Sequence, residues 1–199
     1  NRKAKKDLCV QLKEGSSWRR SVATLDQNHC WAQYIQFGKR DFHLNAAVRV
    51  GMCLLEPGFY EEMRTRQQLG YIASSSLYFT DTMLGILLLV QSSQYTPDEI
   101  AKRAEKFLSD FQVKLAALPT ESWQTFKASV AKELREKEET IYEKHQCLHS
   151  EALVFDELYG YKEKVAQACE ALNPEDVLKV YQKALTPPQK KSVEVFMYK

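Results

Sequence analysis

Glycine and proline are scarce in this 199-residue sequence, seven and six in all, which sets aside collagen-like, loop-dominated and disordered chains. The five cysteines, Cys9, Cys30, Cys53, Cys147 and Cys169, form no C-x-x-C pair, so a ribbon or treble-clef zinc site is excluded. Their odd count and wide spacing also argue against a disulfide framework. Free thiols point to a reducing compartment and hence to a cytoplasmic setting, with a periplasmic or organellar one as the alternative. Neither sign of charge dominates: 28 basic residues face 26 acidic ones, a net charge of +2. That balance speaks against nucleic-acid or membrane-surface partners. No apolar run approaches the ~20 residues of a spanning helix, and the longest, Leu84 to Val90, is strand-sized. G-x-G-x-x-G, P-loop, G-x-S-x-G, H-E-x-x-H and H-x-x-E-H are all missing. The chain opens on Asn1-Arg2-Lys3, without an initiator methionine or signal peptide, and is expected to be a piece of a longer polypeptide.

What is present suits a packed core, with 44% hydrophobic and 11% aromatic residues. Residues 1–14 read as a basic linker or the end of an incoming helix, and residues 15–199 as one domain. Trp18, Arg20, Val22 and Thr24 alternate with polar neighbours, Asp26-Gln27-Asn28 is turn chemistry, and Cys30 to Phe37 is a period-two apolar strand; together they predict a hairpin. Asp41 is a helix N-cap ahead of a Leu44–Leu55 stripe that Pro57-Gly58 should stop. Phe59 to Arg66 is a short amphipathic segment. A strand pair follows, Tyr71 to Phe79 and Leu84 to Gln91, the latter apolar enough for a central strand.

The rest is mostly helical. Thr96 and Pro97 open a helix reaching Leu118. Thr120 caps a long one whose stripe runs from Trp123 to Leu148 and includes His145. Helical segments over Glu151–Tyr159 and Lys162–Ala171 come next, then one opened by Asn173-Pro174 and ended by Pro187-Pro188. Ser192 to Tyr198 is a last strand, with Val193, Val195 and Met197 on its inner face. The order predicts an α+β fold: a mostly antiparallel sheet of about five strands with helices packed on one face.

Chemistry has few places to sit. His145 and His149 share a helix face at a metal-compatible spacing, but Gln146-Cys147-Leu148 between them supplies no carboxylate. The distinctive string is Arg64-Thr65-Arg66-Gln67-Gln68-Leu69-Gly70-Tyr71. Gly70 allows a turn or a close backbone approach at the entry to a strand. A tyrosine there projects its hydroxyl past the sheet, and an arginine adds planar, permanently charged donors. Such a pair suits hydrogen bonding to a carbonyl or a developing oxyanion; a plain surface pair is the alternative reading.

The stretch from Glu56 to Tyr71, and above all its R-T-x-x-Q-L-G-Y element, resembles the insulysin/pitrilysin family of zinc metallopeptidases (M16-type, inverzincin). The layout of the neighbouring elements and the L-N-P-E-D-V segment, Leu172 to Val177, resemble it as well, so that the likeness covers roughly residues 15–199. The resemblance implies the fourth, non-zinc domain of a two-lobed endopeptidase that degrades peptides. Zinc would be bound by the N-terminal half of the same polypeptide, the partner this domain faces across a chamber, and none by this chain. Tyr71 and Arg64 would hydrogen-bond the substrate carbonyl. On that basis the isolated chain is expected to be inactive. The alternatives are a non-catalytic scaffold or substrate-holding domain of the same fold, and an unrelated α+β binding module that dimerises through its sheet edge.

Overall fold

The computed structural model describes residues 9–80, 82–154 and 159–199. Among these described residues five strands form one sheet: β1 (Ser17–Ala23), β2 (His29–Lys39), β3 (Ile72–Phe79), β4 (Met83–Ser92) and β5 (Ser192–Tyr198), in the order β1-β5-β2-β4-β3. All pairings are antiparallel except β1 with β5. The helices are α1 (Phe42–Tyr60), α2 (Pro97–Ala116), α3 (Thr120–Arg135), α4 (Ile141–His149), α5 (Tyr161–Ala171) and α6 (Pro174–Leu185). Two π-helical segments, Glu61–Arg66 and Ser150–Val154, continue α1 and α4.

One face of the sheet packs against helices. Trp31 and Ile35 of β2, Leu84, Ile86, Leu88 and Val90 of β4 and Phe196 of β5 are buried there, in one core with Phe59 of α1, Phe107 and Phe111 of α2 and Tyr181 of α6. The Tyr181 hydroxyl donates to the Val48 carbonyl at 2.7 Å, which satisfies the one polar atom of a fully buried side chain. The opposite face carries Trp18, Val22, Val193, Val195, Met197, Leu87 and Leu89, all exposed or half-buried.

Several expectations need correction. β1 and β2 do not form a hairpin, because β5 lies between them and pairs with both. The face of β5 that packs on the helices is Ser192, Glu194 and Phe196; Val193, Val195 and Met197 lie on the other. A period-two pattern gives alternation but not which set turns inward, and here the inner carboxylate is satisfied. Glu194 accepts from the Trp31 indole at 3.2 Å and from the Gln33 amide at 3.3 Å.

Pro57-Gly58 does not stop α1, which runs through Pro57 into the π-helical segment. A proline inside a helix costs about 3 kcal/mol. Leu55, Phe59 and Met63, all at 0% exposure, each return roughly 1.5–3 kcal/mol on burial, so continuing the helix wins. The long helix predicted from Thr120 to Leu148 is instead two. α3 ends at Arg135, and Thr140 restarts the chain with a capping box in which its side chain accepts from the Glu143 amide. Pro119, not Thr120, occupies the N-cap of α3. α4 buries no residue, so His145 is exposed and does not belong to a core stripe.

Other boundaries agree with the sequence reading. The Asp41 side chain accepts from the Leu44 amide at 2.7 Å, and Thr96 forms a full capping box with Glu99. Parts of two readings lie outside the described residues: the basic lead-in before residue 9, and residues 155–158 of the predicted Glu151–Tyr159 helix.

Candidate functional site

Arg64 and Tyr71 come together where α1 gives way to β3. The change from α-helical to π-helical bonding widens the last turn, so that the Gln67 amide donates to the Glu62 carbonyl five residues back at 3.0 Å. Such turns recur at functional sites. Met63 is fully buried beneath it and Leu69, 1% exposed, anchors the exit. Between them Gln68 adopts φ +50°, a left-handed conformation uncommon for a residue other than glycine. Gly70 has a different task. A Cβ placed on it would lie 1.8 Å from the Gln91 carbonyl oxygen of β4, so only glycine lets the chain enter the sheet this close.

The result fixes the Arg64 guanidinium between two aromatic rings, 4.9 Å from the Tyr71 centroid and 5.1 Å from the Tyr60 centroid. Both distances are within cation–π range. Tyr71 is 84% exposed. Neither the guanidinium nor the Tyr71 hydroxyl has a hydrogen-bond or ion-pair partner among the described residues. Arg66, two residues on, differs: it reaches Glu61 at 3.7 Å and Glu62 at 3.6 Å. Gln67 is held by Glu62 at 2.9 Å and by Arg103 at 3.2 Å, which braces the turn against α2.

The structure thus brings both residues singled out in the sequence to one point and adds Tyr60, which the sequence reading passed over. Its signal was the four-residue spacing from Arg64, which places two side chains on one helix face.

Elsewhere the chemistry is sparse. Among the described residues no three His, Cys, Asp or Glu side chains are grouped as a metal needs. His145 and His149 lie 5.8 Å apart between ring centroids and are exposed, with no third ligand. The zinc implied by the resemblance therefore does not fit the described residues of this chain. A concavity of about 530 Å³ between α3, α4 and α5 holds Cys147, Glu138 and Lys162, away from Arg64 and Tyr71. Lys162 lies 2.8 Å from Glu138 and holds its carboxyl down to about 2. Burial and the neighbouring Glu138 push the Cys147 thiol up, and burial pushes Cys169 up to about 11. Thiols raised in this way stay protonated near neutral pH and are poor nucleophiles.

Residues 51–149 match the family described as PQQ synthase PqqF-like, C-terminal lobe domain 4. The insulin-degrading enzyme of Drosophila melanogaster is 28% identical over 125 residues, covering 63% of this chain and 12% of the relative. Protease 3 of Salmonella typhi is 21% identical over 184 residues, covering 92% and 19%. The chain thus spans less than a fifth of the length of these relatives. Among solved structures, pitrilysin superposes with a TM-score of 0.82 at 20% identity, over 97% of this chain and 20% of that one. A peptidase M16 inactive domain from Pseudomonas fluorescens superposes with a TM-score of 0.70 at 16% identity, over 98% and 45%. With the R-T-x-x-Q-L-G-Y element at the junction of α1 and β3, and the strand and helix order around it, the chain belongs to the insulysin/pitrilysin peptidase family as a domain of the C-terminal lobe.

Proposed function

We propose that residues 15–199 are the fourth, non-zinc domain of a zinc metalloendopeptidase acting on peptides, and that Tyr71 and Arg64 donate hydrogen bonds to the carbonyl oxygen of the bound substrate. The observation that carries this reading is the state of Arg64. Its orientation is fixed by two rings, 4.9 and 5.1 Å away, while its N–H donors have no acceptor among the described residues. A structural arginine uses its donors inside the protein, as Arg66 and Arg103 do.

On this reading the metal and its activated water belong to the N-terminal half of the same polypeptide, which supplies the Lewis acid and the nucleophile. This chain's share is electrostatic. As the carbonyl becomes tetrahedral its oxygen gains charge, and preoriented donors that need no reorganisation lower the barrier. The phenol supplies one O–H donor and the guanidinium a planar fork. By itself the chain then lacks the chemistry for hydrolysis and is expected to be inactive.

The test is Tyr71→Phe in the full-length protein, assayed on a short fluorogenic peptide. The ring and its stacking on Arg64 remain while the hydroxyl goes. A donor used mainly in the transition state shows in kcat, with an expected loss of about 10²–10³ and a much smaller change in KM. A normally melting variant with wild-type turnover would remove Tyr71 from the reaction. A second reading, a substrate-holding domain without a part in the chemistry, rests on the cation–π contact of Arg64 with Tyr71, which gives the guanidinium a partner within the fold; it predicts a raised KM with kcat unchanged.

A further inference from the structure

Glu62 and Gln67 are joined twice across the five-residue step of the π-helical turn. The Gln67 backbone amide donates to the Glu62 carbonyl at 3.0 Å, and the Gln67 side-chain amide donates to the Glu62 carboxylate at 2.9 Å. The second link spans the same interval as the first. It therefore favours the wide turn over an α-helical one, whose four-residue step would bring the Gln67 amide to the Met63 carbonyl. That carbonyl accepts instead from the Leu69 amide at 2.9 Å. The side-chain oxygen of Gln67 is taken as well. Arg103 of α2 donates to it at 3.2 Å, and the Arg103 guanidinium lies 4.6 Å from the Tyr95 centroid. Tyr95 stands just beyond β4, where its backbone amide donates to the Ser92 hydroxyl at 3.0 Å. The neighbouring Gln91 carbonyl is the group that Gly70 approaches so closely. The end of β4 and the start of α2 thus grip the segment from Arg64 to Tyr71 at two points, at Gln67 through side chains and at Gly70 through backbone.

We propose that Gln67 and Arg103 are positioning residues for the reaction, a side-chain relay through which α2 holds the π-helical turn open and Arg64 in place beside Tyr71. The inference rests on the roles proposed above for Arg64 and Tyr71. A primary amide suits the middle of the relay because it donates at one end and accepts at the other. Glu62 requires the donor and Arg103 the acceptor. Arg66 also reaches Glu62, at 3.6 Å, but it is exposed and has no link to α2 among the described residues. Without the Gln67 side chain, the Gln67 amide can turn to the Met63 carbonyl and the turn tightens towards α-helical bonding. Arg64 then shifts relative to the Tyr71 ring. A displacement of about 1 Å in a group that must meet the transition state costs up to about 10²-fold in rate. Neither Gln67 nor Arg103 needs to touch the peptide, so the effect falls on turnover rather than on binding.

The experiment compares Gln67→Met, Arg103→Met and the double variant in the full-length protein, assayed on a short fluorogenic peptide. Methionine keeps the bulk and removes the polar ends. Each single variant should lower kcat about tenfold, with KM within about twofold of wild type and the melting temperature close to it. The double variant should be no slower than the slower single one, because both changes break the same relay. Hydrogen exchange read by mass spectrometry supplies a measurement independent of activity. Residues 61–71 should exchange faster in both single variants and at the wild-type rate in Tyr71→Phe. Unchanged exchange over 61–71, losses that multiply in the double variant, or a kcat that merely follows the fraction of folded protein overturns the relay. Normal turnover in Gln67→Met and Arg103→Met beside a slow Tyr71→Phe removes the relay alone, whereas normal turnover in Tyr71→Phe removes the reading on which it rests.

Discussion

Arg64 and Arg66 sit two residues apart in one basic string, yet their surroundings assign them opposite roles. Arg66 spends its charge on Glu61 and Glu62, an exposed arrangement worth roughly 0–1 kcal/mol. Arg64 is clasped by Tyr60 and Tyr71 and keeps its donors for something else. The corresponding prediction is a three-way comparison in the full-length protein. Arg64→Ala should cost activity heavily, by about 10²-fold for a lost oxyanion donor. Arg64→Lys should not restore it, because an ammonium offers one mobile charge and cannot stack as a planar fork. Arg66→Ala should stay within a few-fold of wild type. Full recovery in the lysine variant would leave only charge in the argument, and silence in both Arg64 variants would make it an ordinary surface residue. The pairing of Arg64 with Tyr71 was readable from the Gly70-Tyr71 strand entry. The third member, Tyr60, was passed over, although the predicted Phe59–Arg66 segment held it four residues before Arg64, on the same helix face.

At the scale of elements, the passage from α1 through the π-helical turn to β3 is the part of the fold that builds the site. Its most demanding contact is between Gly70 and the Gln91 carbonyl. Gly70→Ala forces a Cβ into backbone that β4 holds in the sheet, with no flexible side chain to yield. Overpacking of this kind costs about 1–3 kcal/mol. The expectation is a lowered melting temperature and a loss of activity larger than the loss of folded protein, since Tyr71 is displaced with the strand entry. A variant as stable as wild type would show that β3 relaxes freely. Gly160, at φ +74° with open space around its Cβ position, is the internal comparison, because there alanine meets only backbone strain. Caps with a side-chain signature at Asp41 and Thr96 were legible locally. The split between α3 and α4 was missed even though the Thr140 box was present, because the apolar stripe through Leu148 suggested one long helix. Leu148 is in fact 45% exposed.

On the helical side of the molecule, carboxylate contacts tie the end of α3 and the segment after it to α5. Arg135 at the end of α3 forks onto Glu163 and Glu170 of α5, and Lys162 binds Glu138. Hydrogen bonds from these partners hold all three carboxyls below the usual glutamate range, Glu138 at about 2. A carboxylate depressed in the folded state stabilises it fully above its unfolded pKa of about 4.3, and that contribution fades as pH falls through the folded value. Thermal stability should therefore decline from about pH 4.3 towards 2. The decline should shrink in Arg135→Met and at high salt, because these groups are exposed and screened. A melting temperature flat across that range, or an identical decline in the variant, would remove these contacts from the account.

The sequence by itself determined the α+β class, the positions of most strands and helices, and the family, and it set Arg64 and Tyr71 in one short string. These are local properties, written in period, caps and a short motif. Only the tertiary structure decided that β5 enters between β1 and β2, that its polar face turns inward, that Pro57 is carried through a helix, and that Arg64 rather than Arg66 keeps donors without an acceptor among the described residues. The first two depend on partners distant in the chain, β1 and β2 for β5 and Trp31 and Gln33 for Glu194, while Pro57 follows the burial of Leu55, Phe59 and Met63 around it, and Arg64 its neighbours Tyr60 and Tyr71. A one-dimensional pattern records which residues could be buried. The competition among them for a shared core, a shared sheet edge and a limited set of hydrogen-bond partners is settled only when the chain closes on itself.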